Sequence, residues 1–95
     1  MNRIDDQARV LISKKLRDRL GWVKGDTLEL IPNVNGKFLS VKVANNNSKN
    51  HHEIDFLGRL QIPKTIRELL GWECTNTLEH IVDENNKCIT MRKVA

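Results

Sequence analysis

The sequence predicts a mostly β chain with two short helices, a double β-β-α-β-β unit whose two copies interleave into one small β-barrel. Three observations predict it. First, the chain repeats itself. Offset by fifty residues without a gap, Arg9 falls on Arg59, Ile12 on Ile62, Lys14 on Lys64, Arg17 on Arg67 and Leu20-Gly21-Trp22 on Leu70-Gly71-Trp72. Fifteen identities over about forty-four pairs exceed what shared composition supplies. Second, each copy sets one short helical run between apolar segments that alternate with polar residues. Third, each copy is so small that it struggles to bury enough apolar surface alone, whereas two copies sharing a core do not. The repeats span residues 1–44 and 53–95, joined by a polar linker over 45–52.

In chain order, residues 3–6 read as a short strand and Gln7-Ala8 as a turn. Arg9 to Ile12 read as a second strand, with Val10 and Ile12 on one side and Arg9 on the other. Ser13 opens a helix over Lys14–Leu20, and Pro63 opens its twin, since proline fits the start of a helix where its missing N–H has no partner. Ile66, Leu69 and Leu70 are spaced to share one face, and Lys64, Arg67 and Glu68 the other. Gly21 and Gly71 supply left-handed stops, and each following tryptophan can fold back onto the helix. Lys24-Gly25-Asp26 reads as a turn, and Thr27–Ile31 as a strand ended by Pro32. Asn33-Val34-Asn35-Gly36 reads as a type I′ hairpin turn, and Phe38–Val43 as the returning strand with Leu39, Val41 and Val43 inward. The second repeat follows suit: Ile54-Asp55, a turn at Phe56-Leu57-Gly58, a strand over 59–62, a helix over 63–70, and strands over 77–82 and 87–93. One such unit leaves bare hairpin edges, which the edges of a second unit satisfy.

Composition narrows the class. The net charge is +4 at pH 7, unevenly placed. Residues 1–44 carry nine Lys/Arg against five Asp/Glu, and residues 53–95 six against seven. The basic first half points to a polyanionic partner. Cys74 and Cys88 lack metal-ligand or redox spacing and read as reduced thiols. No apolar run approaches the ~20 residues of a membrane helix, and the N-terminus has no signal-peptide core, so a cytoplasmic location is expected. No nucleophile has an evident base, no glycine-rich loop precedes a helix and no ligand set has metal spacing. An enzyme, a cofactor and a small-molecule substrate are therefore not expected.

The motif Asp55-x-x-Gly58-Arg59-x-x-Ile62-Pro63-x-x-Ile66-Arg67-x-x-Leu70-Gly71, followed by Thr77-Leu78-Glu79, resembles the AbrB/SpoVT family of bacterial transition-state regulators and the related MazE antitoxins. The first repeat keeps Asp5-x-x-x-Arg9-x-x-Ile12, Lys14, Arg17 and Leu20-Gly21, but has Ala8 and Ser13 where the second has Gly58 and Pro63. Tandem copies also resemble MraZ, a longer family with extra helices. The resemblance implies a swapped-hairpin barrel, here an intramolecular pseudo-dimer, that binds double-stranded DNA at deformable, A/T-rich sites. It implicates Arg9 and Arg59 on the strands and Arg17 and Arg67 on the helices. Asp18 and Glu68 stand where some members carry a second helix arginine, and such acids repel phosphate.

Independently of family, Arg9, Lys14, Lys15, Arg17 and Arg19 place five cations within eleven residues. With Arg59, Lys64 and Arg67 related by the repeat, two basic patches on one face would suit a duplex. The competing reading is a solvated helix face tied by Lys14–Asp18 and Lys64–Glu68 pairs. Asp5 and Asp55 read as ion-pair partners that aim Arg9 and Arg59. Trp22 and Trp72 read as core, His51-His52 as linker and His80 as a partly exposed strand residue. The expected function is a nucleoid-associated, DNA-binding transcriptional regulator. A second reading is a protein-interaction module, antitoxin-like or an adaptor of a phage or mobile element, which the acidic second half favours. An antitoxin needs a toxin-wrapping tail, and Ala95 directly follows the last expected strand. The sequence leaves open whether the repeats pair within one chain or exchange in a homodimer.

Overall fold

The computed structural model describes residues 2–23, 25–45 and 51–94. In chain order the elements are β1 (Asn2–Arg3), β2 (Arg9–Leu11), α1 (Lys14–Leu20), β3 (Thr27–Asn33), β4 (Phe38–Val43), β5 (His52–Glu53), β6 (Arg59–Gln61), α2 (Lys64–Leu70), β7 (Thr77–Asp83) and β8 (Cys88–Lys93). Six strands form a curled antiparallel half-barrel in the order β1-β7-β8-β4-β3-β5, and β2 pairs with β6 as a separate two-stranded ribbon.

Among the described residues, β3–β4 and β7–β8 pair within one repeat, and the other pairings cross between repeats. β1 lies on β7 as β5 lies on β3, with Asn2 opposite Leu78 and His52 opposite Leu28. The two hairpins meet at β4 and β8, where Ser40 faces Thr90. Each register maps onto its twin under the fifty-residue offset, so hairpin edges that one repeat leaves bare are covered by the other.

Among the described residues the core holds eighteen apolar side chains and no buried charged residue. Ile4, Val10, Ile12, Leu20, Leu28, Leu39 and Val41 enter from the first repeat, and Leu60, Ile62, Ile66, Leu70, Leu78, Ile89 and Met91 from the second. Seven-residue helices are far too short to persist alone, so packing and caps hold them. Ser13 Oγ accepts from the Leu16 N–H at 3.3 Å, while Pro63 supplies no side-chain cap. At the far end the Trp22 N–H donates to the Arg17 carbonyl (2.9 Å) and the Gly21 N–H to Asp18 (3.2 Å), with Gly21 at φ 70°. Trp72, Gly71, Arg67 and Glu68 repeat this Schellman arrangement. Both indoles are buried as expected, but Trp22 Nε1 donates to the Lys87 carbonyl at 3.3 Å and Trp72 Nε1 has no partner among the described residues.

Several expectations need correction. β1 covers Asn2–Arg3 rather than 3–6, and β2 stops at Leu11. β3 continues through Pro32 to Asn33, because β5 reaches only Thr27 and Leu28 and proline is tolerated on the open edge beyond. The hairpin turn is a four-residue loop, not type I′. Its left-handed residue is Lys37 (φ 58°), and Asn33 Oδ1 accepts from the Gly36 N–H at 2.7 Å. Val43 is exposed, since β8 covers β4 only as far as Lys42. Leu69 is also exposed; only the i, i+4 row of Ile66 and Leu70 reaches the core. Of the expected linker, residues 46–50 lie outside the described residues, and His52 already belongs to β5. No helix among the described residues is long and apolar enough to cross a membrane.

Candidate nucleic-acid interface

The ribbon formed by β2 and β6 presents one face inward and one outward. Val10 opposes Leu60 and both are fully buried, whereas the Arg9–Gln61 and Leu11–Arg59 pairs face outward. Arg9 and Arg59 are thus diagonal neighbours on one surface, a spacing of about 7–8 Å or less that long side chains bridge.

Each arginine is fixed by the turn before it. Asp5 Oδ1 accepts from the N–H groups of Gln7 (2.9 Å) and Arg9 (2.8 Å), and Oδ2 accepts from Arg9 Nε (3.0 Å). Asp55 does the same for Leu57, Arg59 and Arg59 Nε at 2.9, 2.8 and 2.8 Å. The Arg9 and Arg59 backbone N–H groups chiefly, with the guanidinium contacts adding to them, hold both carboxyls below the usual range. The sequence-expected pairs therefore exist, and they occupy Nε while the terminal nitrogens are left to other acceptors. To close, each turn needs a left-handed residue, Ala8 at φ 63° and Gly58 at φ 85°.

The ribbon leads directly into both helices. The Ile12 N–H donates to the Gly58 carbonyl and the Ile62 N–H to the Ala8 carbonyl, each at 2.8 Å. One ribbon end therefore joins the α1 N-terminus to the Phe56-Leu57-Gly58 turn. The other joins the α2 N-terminus to the Asp6-Gln7-Ala8 turn. Lys14 and Lys15 are exposed at the first end, and Lys64 at the second.

These placements divide the expected site residues. Arg9, Arg59, Lys14, Lys15 and Lys64 gather about the ribbon. Arg17 and Arg67 curl back instead, each Nε donating to the carbonyl of the residue just past its own strand, Ile12 at 3.0 Å and Ile62 at 3.1 Å. Both are half-buried, so Arg67 does not share the solvent face of Lys64 and Glu68. They brace the strand–helix junction. Arg19 lies farther from the ribbon, at the far end of α1. It pairs with Glu84 in the β7–β8 turn at 2.6 Å. Sequence spacing could not show this difference between Arg19 and Lys15, because Glu84 sits in the other repeat.

Opposing acids temper the lysines. Lys14 lies 3.4 Å from Asp18 and Lys64 3.9 Å from Glu68, all four well exposed. Such pairs are worth ~0.5 kcal/mol or less and yield readily to a stronger anion. Among the described residues no cluster of His, Cys, Asp and Glu could hold a metal ion. His80 is partly exposed, as expected, and stands where the first repeat has core Leu30. Its Nε2 is closed off with no partner among the described residues, Nδ1 lies 3.2 Å from Asn2 Nδ2, and burial pushes its pKa down to about 4. Sequence reasoning also missed three exposed apolar side chains at the α1 end of the ribbon, Leu11, Phe56 and Leu57, of which Phe56 borders a hollow lined by Arg17, Trp22 and Val23. The signal was available: Phe56 and Leu57 occupy turn positions held by Asp6 and Gln7 in the other repeat.

No family model, curated protein or solved structure matches this chain.

Proposed function

We propose that this chain is a double-stranded DNA-binding regulator of transcription of the AbrB/SpoVT type, nucleoid-associated, in which two swapped-hairpin repeats act as an intramolecular pseudo-dimer. The observation that supports it most is the β2–β6 ribbon. Two arginines aimed by aspartates stand on its outer face, with lysines at the helix starts on both ends. A guanidinium held at Nε still offers paired terminal N–H groups to a phosphate or a guanine edge. Arg17 and Arg67 serve this reading by fixing the junctions.

The decisive measurement is a salt titration of binding to mixed-sequence duplex DNA. With Arg9, Arg59, Lys14, Lys15 and Lys64 on phosphates, log K falls with log salt at a slope of about −4 to −5, and Lys15→Gln shallows it by about one. Arg9→Gln with Arg59→Gln removes most of the affinity while the circular dichroism spectrum stays native. Binding that ignores ionic strength, or none at low salt, removes the proposal. The interaction-module reading gains from the Asp18 and Glu68 pairs that offset Lys14 and Lys64, and that same flat titration would favour it.

A further inference from the structure

The two ends of the ribbon are built alike and surfaced differently. At one end the turn carries Phe56, 88% exposed, and Leu57, 53% exposed, beside Leu11 at 44% on the neighbouring strand. The matching positions at the other end are Asp6, Gln7 and Gln61, all polar and exposed. Charge follows the same division: Lys14 and Lys15 flank the apolar end, while Lys64 and Thr65 flank the polar one.

The apolar turn is also closed by hydrogen bonds. The Leu57 and Arg59 N–H groups are both held by Asp55 Oδ1, the Gly58 N–H donates to the Asp55 carbonyl at 2.9 Å, and the Gly58 carbonyl receives the Ile12 N–H. A phenyl ring raised on a braced turn is poised for insertion, with little backbone entropy left to lose.

We infer that the Phe56-Leu57 turn is an apolar wedge that enters duplex DNA at a flexible step, making the interface one-ended and bending the duplex. This rests on the DNA-binding reading above and adds to it a place and a polarity. An apolar tip bordered by Lys14, Lys15 and Arg59 matches what a base step offers: a π face to cover, between phosphates to neutralise. Side chains of this kind unstack and kink duplexes. Pyrimidine–purine steps unstack most easily, so the wedge selects TpA or CpA at one end of the site without reading base edges.

The test uses the whole chain and a duplex with 2-aminopurine beside a central TpA step, labelled at its ends for energy transfer. The wild type should raise 2-aminopurine fluorescence and shorten the end-to-end distance. Phe56→Ser with Leu57→Ser should lose both signals and about tenfold in affinity, at an unchanged salt slope, since no phosphate contact is removed. Gln7→Ala in the mirror turn should change neither signal. Salt-dependent binding with no fluorescence rise or bend in the wild type overturns the wedge and leaves the DNA reading standing. A double variant that bends DNA like the wild type also overturns the wedge. Absence of salt-dependent binding overturns both. A fall in sedimentation mass on mutating the turn, with DNA behaviour unchanged, overturns the wedge in favour of a contact between copies of the chain.

Discussion

Gly58→Ala is the sharpest test of how the ribbon is braced. A methyl group at Gly58 would stand 2.9 Å from Arg17 Nη2, 3.3 Å from Arg17 Cζ and 3.1 Å from the Ile12 carbonyl oxygen. Two costs follow. Holding alanine at φ 85° costs about 1 kcal/mol. Moving Arg17 aside strains its Nε hydrogen bond to Ile12, of the charged kind worth about 1.5–3 kcal/mol if lost. The first repeat bounds the second cost, because Ala8 already sits at φ 63° and Arg67 keeps its Ile62 contact at 3.1 Å. A relaxed solution therefore exists, and Arg17 need not be expelled. The expected destabilisation is about 1–2 kcal/mol, read by urea unfolding as a lower midpoint at constant m, or as roughly 5–15 °C in Tm. The reverse change, Ala8→Gly, should be near neutral. It relieves the left-handed strain, about 1 kcal/mol, but removes a buried methyl and frees the unfolded chain. A Gly58→Ala protein as stable as the wild type would refute the account of the junction, as would an Ala8→Gly protein weakened as much as Gly58→Ala.

Further predictions concern positions where the two repeats differ. His80→Leu, which restores the residue type found at Leu30, should raise stability and flatten the acid limb of the stability curve. With the folded pKa at about 4 and the unfolded value near 6.5, the unfolded chain binds the proton first. Stability attached to neutral His80 is therefore full above about pH 6.5 and falls toward pH 4, by about 1–2 kcal/mol at pH 5. Urea midpoints at pH 7 and pH 5 for both proteins check this, and parallel shifts would reject it. Trp22→Phe should cost about 1 kcal/mol more than Trp72→Phe, because only Trp22 gives up a hydrogen bond. Thermal unfolding of the two variants decides it. Ser13→Ala should cost about 1 kcal/mol through the lost N-cap, measured by the same unfolding transition.

Much of this architecture is legible from local chemistry. Helices bounded by Ser13 or Pro63 and by Gly21 or Gly71 announce both ends, because caps are written in single residues. Asp5 and Asp55 are readable as arginine partners because only a turn of four residues separates them. What escapes is set by residues far apart in sequence. Pro32 cannot be seen to sit on an open edge until β5 is known to stop at Leu28. Arg17 and Arg67 look like solvent-facing cations until their guanidinium groups are found on Ile12 and Ile62. Arg19 depends on Glu84, sixty-five positions away. Charge counting alone merges bracing arginines with available ones, and the ribbon geometry separates them.

The asymmetry of the ribbon ends follows from joining two repeats in one chain. In a symmetric pair of separate chains, any substitution appears at both ends of the shared face. A raised phenyl ring would then appear twice, doubling the apolar surface held against water at ~25 cal/mol per Å². Within one chain, Phe56 and Leu57 can stand at one end while Asp6 and Gln7 keep the other polar. The interior divides differently. Fully buried positions have stayed apolar in both halves, with Val10 matched to Leu60 and Val41 to Met91, because each touches its twin's neighbours across the shared core. His80 opposite Leu30 departs from that rule beside the two-residue strand β1, where Asn2 can meet it. Packing thus holds the halves to one pattern where they share a core, and relaxes its hold at the turns. A function that needs direction along its partner would be found at those turns, where Asp6 and Gln7 stand against Phe56 and Leu57.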